Sequence, residues 1–175
     1  MMNKTRLLFT SCEEKDILKP KVYIETSVVS YLTARPSRDL VVMAHQQLTT
    51  EWWEKRDEYD LYISELVIEE AESGNEDAAK RRLNALHNIP YLLKAVDTVE
   101  QLARRLVEEK AVPEKAEGDA VHIAYSAVYG LDYLLTWNCK HIANAHLRRA
   151  IMTTARHMGY EMPVICTPEE LLGGI

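Results

Sequence analysis

The sequence predicts a three-layer α/β/α domain with a mostly parallel central sheet. Short β-type runs alternate with helical stretches from Lys21 onward, the pattern of strands joined by helical crossovers. Helix-starting and helix-stopping residues fall at the joins. The 175 residues suit a single core, and no repeat, linker or low-complexity stretch divides them.

Each element has its local reason. Lys21-Val22-Tyr23-Ile24-Glu25 is a β-type run, and Thr26 or Ser27 is placed to cap the helix carrying Val28, Val29, Tyr31 and Leu32. Asp39 starts a second helix, with Leu40, Met43, Ala44, Gln47 and Leu48 at three- and four-residue steps toward Trp52-Trp53. These two tryptophans point to different sides, so one belongs to the core and the other to a contact surface. Leu61-Tyr62-Ile63 is the next strand. Ser64 caps a helix that runs through Glu69 and Glu70 to Ser73-Gly74. A helix over Glu76–Leu86 ends at the His87-Asn88-Ile89-Pro90 break, and Thr98 caps Val99 to Glu109. Gly118-Asp119 opens an apolar helix from Ala120 to Tyr129, stopped by Gly130. Tyr133-Leu134-Leu135 is a strand leading into Thr136-Trp137-Asn138. A helix from Ala145 to His157, a strand from Met162 to Cys166 and a turn capped by Thr167 with Pro168 at its first position complete the chain.

Composition narrows the function. Apolar residues make up 47% and charged residues 27%, ordinary globular usage. With 21 Lys and Arg against 27 Asp and Glu the net charge is −6, so no global positive field holds the protein to nucleic acid. Nucleic-acid contacts must be local or bridged by cations. None of the six glycines forms GxGxxG or GxxxxGK[ST], which excludes glycine-loop nucleotide cradles. Cys12, Cys139 and Cys166 are odd in number and lack paired spacing, which fits a reducing cytosol. Leu7-Leu8-Phe9 is too short for a signal-peptide core, and no run reaches the ~18 apolar residues of a membrane span. The expectation is a soluble cytoplasmic protein, with residues 1–19 a polar leader and residues 20–175 one domain.

In open parallel sheets, functional residues collect at the carboxyl ends of strands. Glu25 closes the first strand, Glu69 and Glu70 lie one turn into the helix after the second, and Asn138 follows a later strand by two residues. Asp119 starts a helix whose N-terminal end faces the same region. Carboxylates gathered this way repel one another unless solvated, protonated or bound to cations. Hard ions such as Mg²⁺ or Mn²⁺ take oxygen ligands and leave positions open for phosphate. They also activate water for phosphodiester hydrolysis.

Four segments sharpen this reading. Tyr23-Ile24-Glu25-Thr26-Ser27-Val28, Ile63-Ser64-Glu65-Leu66-Val67-Ile68-Glu69-Glu70, Gly118-Asp119-Ala120-Val121-His122-Ile123-Ala124 and Leu134-Leu135-Thr136-Trp137-Asn138 occur in this order. Together they resemble PIN domains, a family that includes VapC-type toxin ribonucleases, over about residues 21–170. The resemblance implies a PIN-like fold, a carboxylate site for Mg²⁺ or Mn²⁺, and cleavage of RNA, with single-stranded RNA suited to such a groove. Matched position by position, Glu25, Glu70 and Asp119 are the three acidic ligands and Asn138 the fourth site residue. Glu25 stands where the family usually has Asp, and Asn138 is neutral where the family often has Asp. Asn138 would coordinate through its carbonyl oxygen or orient a water. Thr26, Ser27 and Thr136 are expected as hydrogen-bond donors behind the ligands. Arg35, Arg38 and Lys140 are expected as RNA phosphate contacts. The resemblance also implies an antitoxin partner and a homodimer.

Plainer readings stand beside these. Glu25 could simply follow its strand into solvent, and Glu69, Glu70 and Glu72 could be a solvated helix face. Asp119 could be only a helix cap, a role compatible with metal binding. His122, three residues after Asp119, could touch the site, although a half-buried helix histidine is the ordinary expectation. Cys139, His141 and His146 have a zinc-like spacing but lack a fourth ligand. A Ser-His-Asp hydrolase would need a G-x-S-x-G elbow, which is absent. The competing class is a catalytically weakened PIN-like module that binds RNA or a protein partner.

Overall fold

Lys21–Ile24 (β1) lies at the centre of a five-stranded sheet in a computed structural model that describes residues 18–173. The other strands are Asp60–Ser64 (β2), Tyr91–Leu93 (β3), Tyr133–Leu135 (β4) and Val164–Cys166 (β5), in the order β3-β2-β1-β4-β5. Every pairing is parallel, so the sheet is wholly rather than mostly parallel. Cys12 and nearly all of the expected leader lie outside the described residues.

Among the described residues eight helices connect or flank the strands: Thr26–Thr33 (α1), Leu40–Glu54 (α2), Glu65–Glu72 (α3), Glu76–Leu86 (α4), Asp97–Glu108 (α5), Glu117–Val128 (α6), Ala145–His157 (α7) and Pro168–Leu172 (α8). Helix α1 packs with α2, α3 and α4, whereas α5 packs with α6 and α7. The two groups cover the sheet as outer layers of an α/β/α sandwich. Val22, Tyr23, Ile24, Leu134 and Leu135 are wholly buried between them, with Val28 and Val29 from α1 and Ile123 from α6. No helix among the described residues is long and apolar enough to cross a membrane.

Several local expectations need correcting. Strand β3 was hidden by its length and by Pro90; proline is tolerated beside the first residue of an edge strand, and Tyr91 is fixed by stacking on Tyr62 at 4.6 Å between ring centroids. Helix α5 begins at Asp97 with no side-chain cap, not under a Thr98 cap. Helix α1 is capped by Glu25, whose carboxylate accepts from Ser27 N–H, rather than by Thr26 or Ser27. Helix α6 starts at Glu117 directly after a 3₁₀ turn at Glu114–Ala116, which puts Asp119 inside the first turn and not at the cap.

The face of α2 is also rotated from its apolar periodicity. Leu40 and Met43 are exposed, while Thr49 and Trp52 are buried. The indole N–H of Trp137 donates to Thr49 Oγ1 at 2.7 Å, and His45 stacks on the Trp137 ring at 4.0 Å. The Trp137 indole N–H is satisfied in this way, whereas the indole N–H of Trp52 on α2 is buried without a partner among the described residues. Trp52 is the core tryptophan. Trp53 packs beside it, with the Arg56 guanidinium 5.4 Å from its ring centroid.

Candidate active site

The strand order reverses direction at the β1/β4 junction: the chain moves outward through β2 and β3, then returns to the other side of β1. Such a switch point opens a crevice at the carboxyl ends of the strands. Glu25 leaves β1 there, its N–H held by the Leu135 carbonyl of β4 at 3.0 Å. Thr136, Trp137 and Asn138 leave β4 beside it.

Glu25 is 6% exposed and carries three hydrogen bonds besides its charge. Oε1 accepts from Ser27 N–H at 2.9 Å, and Oε2 accepts from the hydroxyls of Ser27 and Thr136, the latter at 2.6 Å. The two hydroxyls are themselves oriented from behind. Trp137 N–H donates to Ser27 Oγ and Asn138 N–H to Thr136 Oγ1, each at 2.8 Å. A buried carboxylate is tolerable only with such donors. Glu25 therefore does not run into solvent.

Glu70 is the inward acid of its helix; Glu69 is exposed. Both donors to Glu70 fall on one oxygen, Oε2: the Thr26 hydroxyl and the His122 ring nitrogen Nε2, at 3.0 Å. Oε1 has no hydrogen-bond partner among the described residues and lies over Gly118, where an added Cβ would stand 3.7 Å away. Burial raises the Glu70 pKa, but the hydrogen bond and charge of His122 and the Thr26 hydroxyl outweigh it, so the carboxyl sits below its ordinary value.

Asp119 is the opposite case. Burial pushes its carboxyl up, the Asn138 amide pulls it down, and the nearby Glu25 charge raises it again, with a net upward shift. Asn138 Nδ2–H donates to Asp119 Oδ1 at 2.9 Å, and Asn138 Oδ1 accepts from His141 N–H at 3.1 Å. Turning the amide over would set its oxygen against a carboxylate and its NH₂ against a backbone donor, so its orientation is determined by its neighbours. Asn138 thus aims a donor at Asp119, and one lone pair of its carbonyl oxygen accepts from His141 N–H.

The donor set suits a divalent cation. Single ligand atoms of Glu25, Glu70 and His122 all lie within 4.8 Å of one another. Asp119 is not a member of that group, although the Glu25 charge is felt at its carboxyl. A bound hard cation would relieve the burial and the Glu25 charge that push the Asp119 carboxyl up, and the Glu70 Oε1 lone pairs are open to it. Cys139, His141 and His146 do not assemble into a metal-ligating group among the described residues. Cys139 is exposed, and its thiol is raised by burial of the sulfur and by Glu170, the wrong direction for a thiolate ligand.

His122 was expected to be half-buried; it is 1% exposed and touches the site. Its Nδ1 bonds the Tyr23 hydroxyl at 2.8 Å, and that hydroxyl bonds Ser64 Oγ at 2.6 Å. Tyr23 and Ser64 were missed as parts of the site. The available signal was Tyr23 itself, a hydroxyl in the middle of a buried strand that must find a partner. Arg35, Arg38 and Lys140 are exposed. Lys140 follows Asn138 by two residues, whereas Arg35 and Arg38 lie beyond the far end of α1, about 12 Å of helix from Glu25.

No protein-family model and no curated protein matches the sequence. Solved structures do match the fold. VapC20 of Mycobacterium tuberculosis, described as a sarcin–ricin-loop-cleaving toxin, aligns with a TM-score of 0.52 over 71% of this chain and 95% of its own, at 15% identity. VapBC2 of Rickettsia felis, solved bound to a DNA fragment from its promoter, aligns with a TM-score of 0.50 over 84% of this chain and 98% of the matched chain, at 11% identity. The chain has the PIN-like fold of VapC toxins. Within it, the crevice between β1 and β4 gathers Glu25, Asp119 and Asn138, with Glu70 and His122 close to Glu25.

Proposed function

We propose that the protein is a metal-dependent endoribonuclease that hydrolyses phosphodiester bonds of single-stranded RNA, acting as the toxin of a toxin–antitoxin pair. The observation that carries this reading is the set of carboxylates delivered by separate elements to one strand-end crevice, each steadied by hydrogen-bond donors. The likeness in fold to a sarcin–ricin-loop-cleaving toxin supports it. Residues 20–175 act as one catalytic unit, in the cytoplasm, with an antitoxin protein and a second copy of the chain as partners.

Glu25, Glu70 and Asp119 would hold Mg²⁺ or Mn²⁺, both of which accept an all-oxygen set. The bound ion supplies polarisation of the phosphoryl group and activation of water. The chain supplies the rest. Thr26 turns Glu70, Ser27 and Thr136 turn Glu25, and Asn138 turns Asp119, so each carboxylate is fixed in place. Preset donors of this kind need no reorganisation during reaction. Lys140 contacts a phosphate next to the cleaved bond, and Arg35 and Arg38 contact phosphates farther along the strand. These local contacts offset the unfavourable net charge of −6.

A second reading, a PIN-like module that binds RNA or a protein partner without cutting, draws on two features. Glu25 is already committed to three donors, and the Asn138 carbonyl oxygen already accepts from His141 N–H. The deciding experiment is cleavage of mixed single-stranded RNAs with Mg²⁺ or Mn²⁺, beside EDTA and Asp119→Asn controls. Cutting that both controls abolish establishes the nuclease. Folded protein that binds the metal and cuts nothing establishes the binding module.

A further inference from the structure

A polar chain runs through the core to Glu70. Tyr23 and Ser64 are 0% exposed and His122 is 1% exposed, so their polar atoms must satisfy one another. Val67 N–H donates to Ser64 Oγ at 3.4 Å, and Ser64 Oγ shares a hydrogen bond with the Tyr23 hydroxyl at 2.6 Å. The same hydroxyl bonds His122 Nδ1 at 2.8 Å, which fixes the ring from behind. On its other side Nε2 stands 3.0 Å from Glu70 Oε2. Facing an ionised carboxylate, Nε2 must carry a proton, because a bare lone pair would set two acceptors against each other.

We infer that His122 is a positioning residue, fixed from behind by Tyr23 and Ser64, whose Nε2–H pins Oε2 of Glu70 and leaves Oε1 as the metal ligand. The inference deepens the nuclease reading and rests on it. Thr26 supplies the other donor to the same oxygen, so the carboxylate is fastened at one end and open at the other. Gly118 keeps the open side clear: nothing bulkier than a glycine hydrogen stands between α6 and Oε1. A histidine binding the metal directly through Nε2 would need that nitrogen bare, and a bare nitrogen cannot donate to Glu70. The two roles therefore exclude one another.

The test uses the full-length protein, ¹⁵N-labelled at histidine, with Tyr23→Phe, His122→Gln and His122→Leu variants checked for folding by circular dichroism. Long-range ¹H–¹⁵N correlation in the absence of metal is expected to show His122 protonated at Nε2. Mn²⁺ titration followed by electron paramagnetic resonance is expected to show roughly 10–100-fold weaker binding for His122→Leu and a smaller loss for Tyr23→Phe. His122→Gln, whose amide donates toward Glu70 and accepts from Tyr23, is expected to recover most of the affinity. Should Tyr23→Phe fail to fold, His122→Gln against His122→Leu carries the comparison. An Nδ1–H tautomer, a direct ¹⁵N coupling between His122 and bound Mn²⁺, or equal affinity in all variants overturns the inference while leaving the nuclease reading intact. Wild-type protein that shows the Nε2–H tautomer yet binds no Mn²⁺ overturns the metal-dependent reading and the positioning role together.

Discussion

Glu25 and Glu70 stand in one crevice but are held from opposite directions. Glu25 is gripped at the rim, by Ser27 and Thr136, and the groups that orient those hydroxyls are the backbone N–H groups of Trp137 and Asn138. All of these lie within three residues of a strand end. Glu70 is braced from inside, through His122 and Tyr23 to Ser64, across three elements and the buried centre of the sheet. The rim arrangement doubles as a helix cap, so Glu25 stabilises the fold whether or not a metal binds. The core relay satisfies buried hydroxyls whose burial would otherwise be costly, and delivers one oriented N–H to the site. One acid belongs first to the fold and the other first to the chemistry.

The sharpest way to break this contrast is Glu70→Gln. It keeps an acceptor for Thr26 and His122 but removes the charge, so cleavage should fall about 100-fold or more while the melting temperature changes little. Glu25→Ala should do the reverse on stability. It removes the α1 cap and strands two hydroxyls, a loss of about 1–2 kcal/mol read as a lower urea midpoint. If the two variants were equally destabilising, the distinction between rim and core would fail.

Asn138→Asp tests the third acid. It replaces a donor to Asp119 with a second charge, which should lower the melting temperature of the metal-free protein and enlarge the stabilisation on adding Mn²⁺.

The pH dependence has two opposite signs. Asp119 has a folded pKa above its ordinary value, so its contribution to metal-free stability is greatest below the ordinary value and is lost as pH rises through the raised one. Glu70 has a folded pKa below its ordinary value, so its contribution is present above the ordinary value and is lost as pH falls through the lowered one. Metal binding should therefore weaken first through protonation of Asp119, as pH falls toward the ordinary carboxylate value from above, with Glu70 still ionised. Mn²⁺ titrations across that range check this, and Asp119→Asn should flatten what slope remains.

The smallest effect is expected for Gly118→Ala. A helical glycine replaced by alanine gains about 0.5–1 kcal/mol. The same methyl would rest against Glu70 Oε1 and weaken Mn²⁺ binding a few-fold, a gain in stability with a loss of ligand that calorimetry and metal titration read separately.

What was legible in the sequence was local. Strand-to-helix alternation, the Ser64 cap and the stop at Gly130 follow from propensities and caps that act over a few residues, and the layered parallel fold follows from their order. The four short segments carrying Glu25, Glu70, Asp119 and Asn138 stood out by their resemblance to PIN domains rather than by local propensity. Strand β3 was not legible, since three residues after a proline become a strand only when Tyr62 offers an edge and a stacking partner. The face of α2 was not, because it turns Thr49 to the Trp137 indole and leaves Leu40 and Met43 exposed against their apolar spacing. Nor was the choice of Glu70 over Glu69, a rotation of about 100° on one helix that packing alone decides. The relay from Ser64 through Tyr23 and His122 lies furthest from sequence reading. Its members are 41 and 99 residues apart from one another along the chain. Only folding, by removing water from all three, obliges them to bond to each other and so to Glu70.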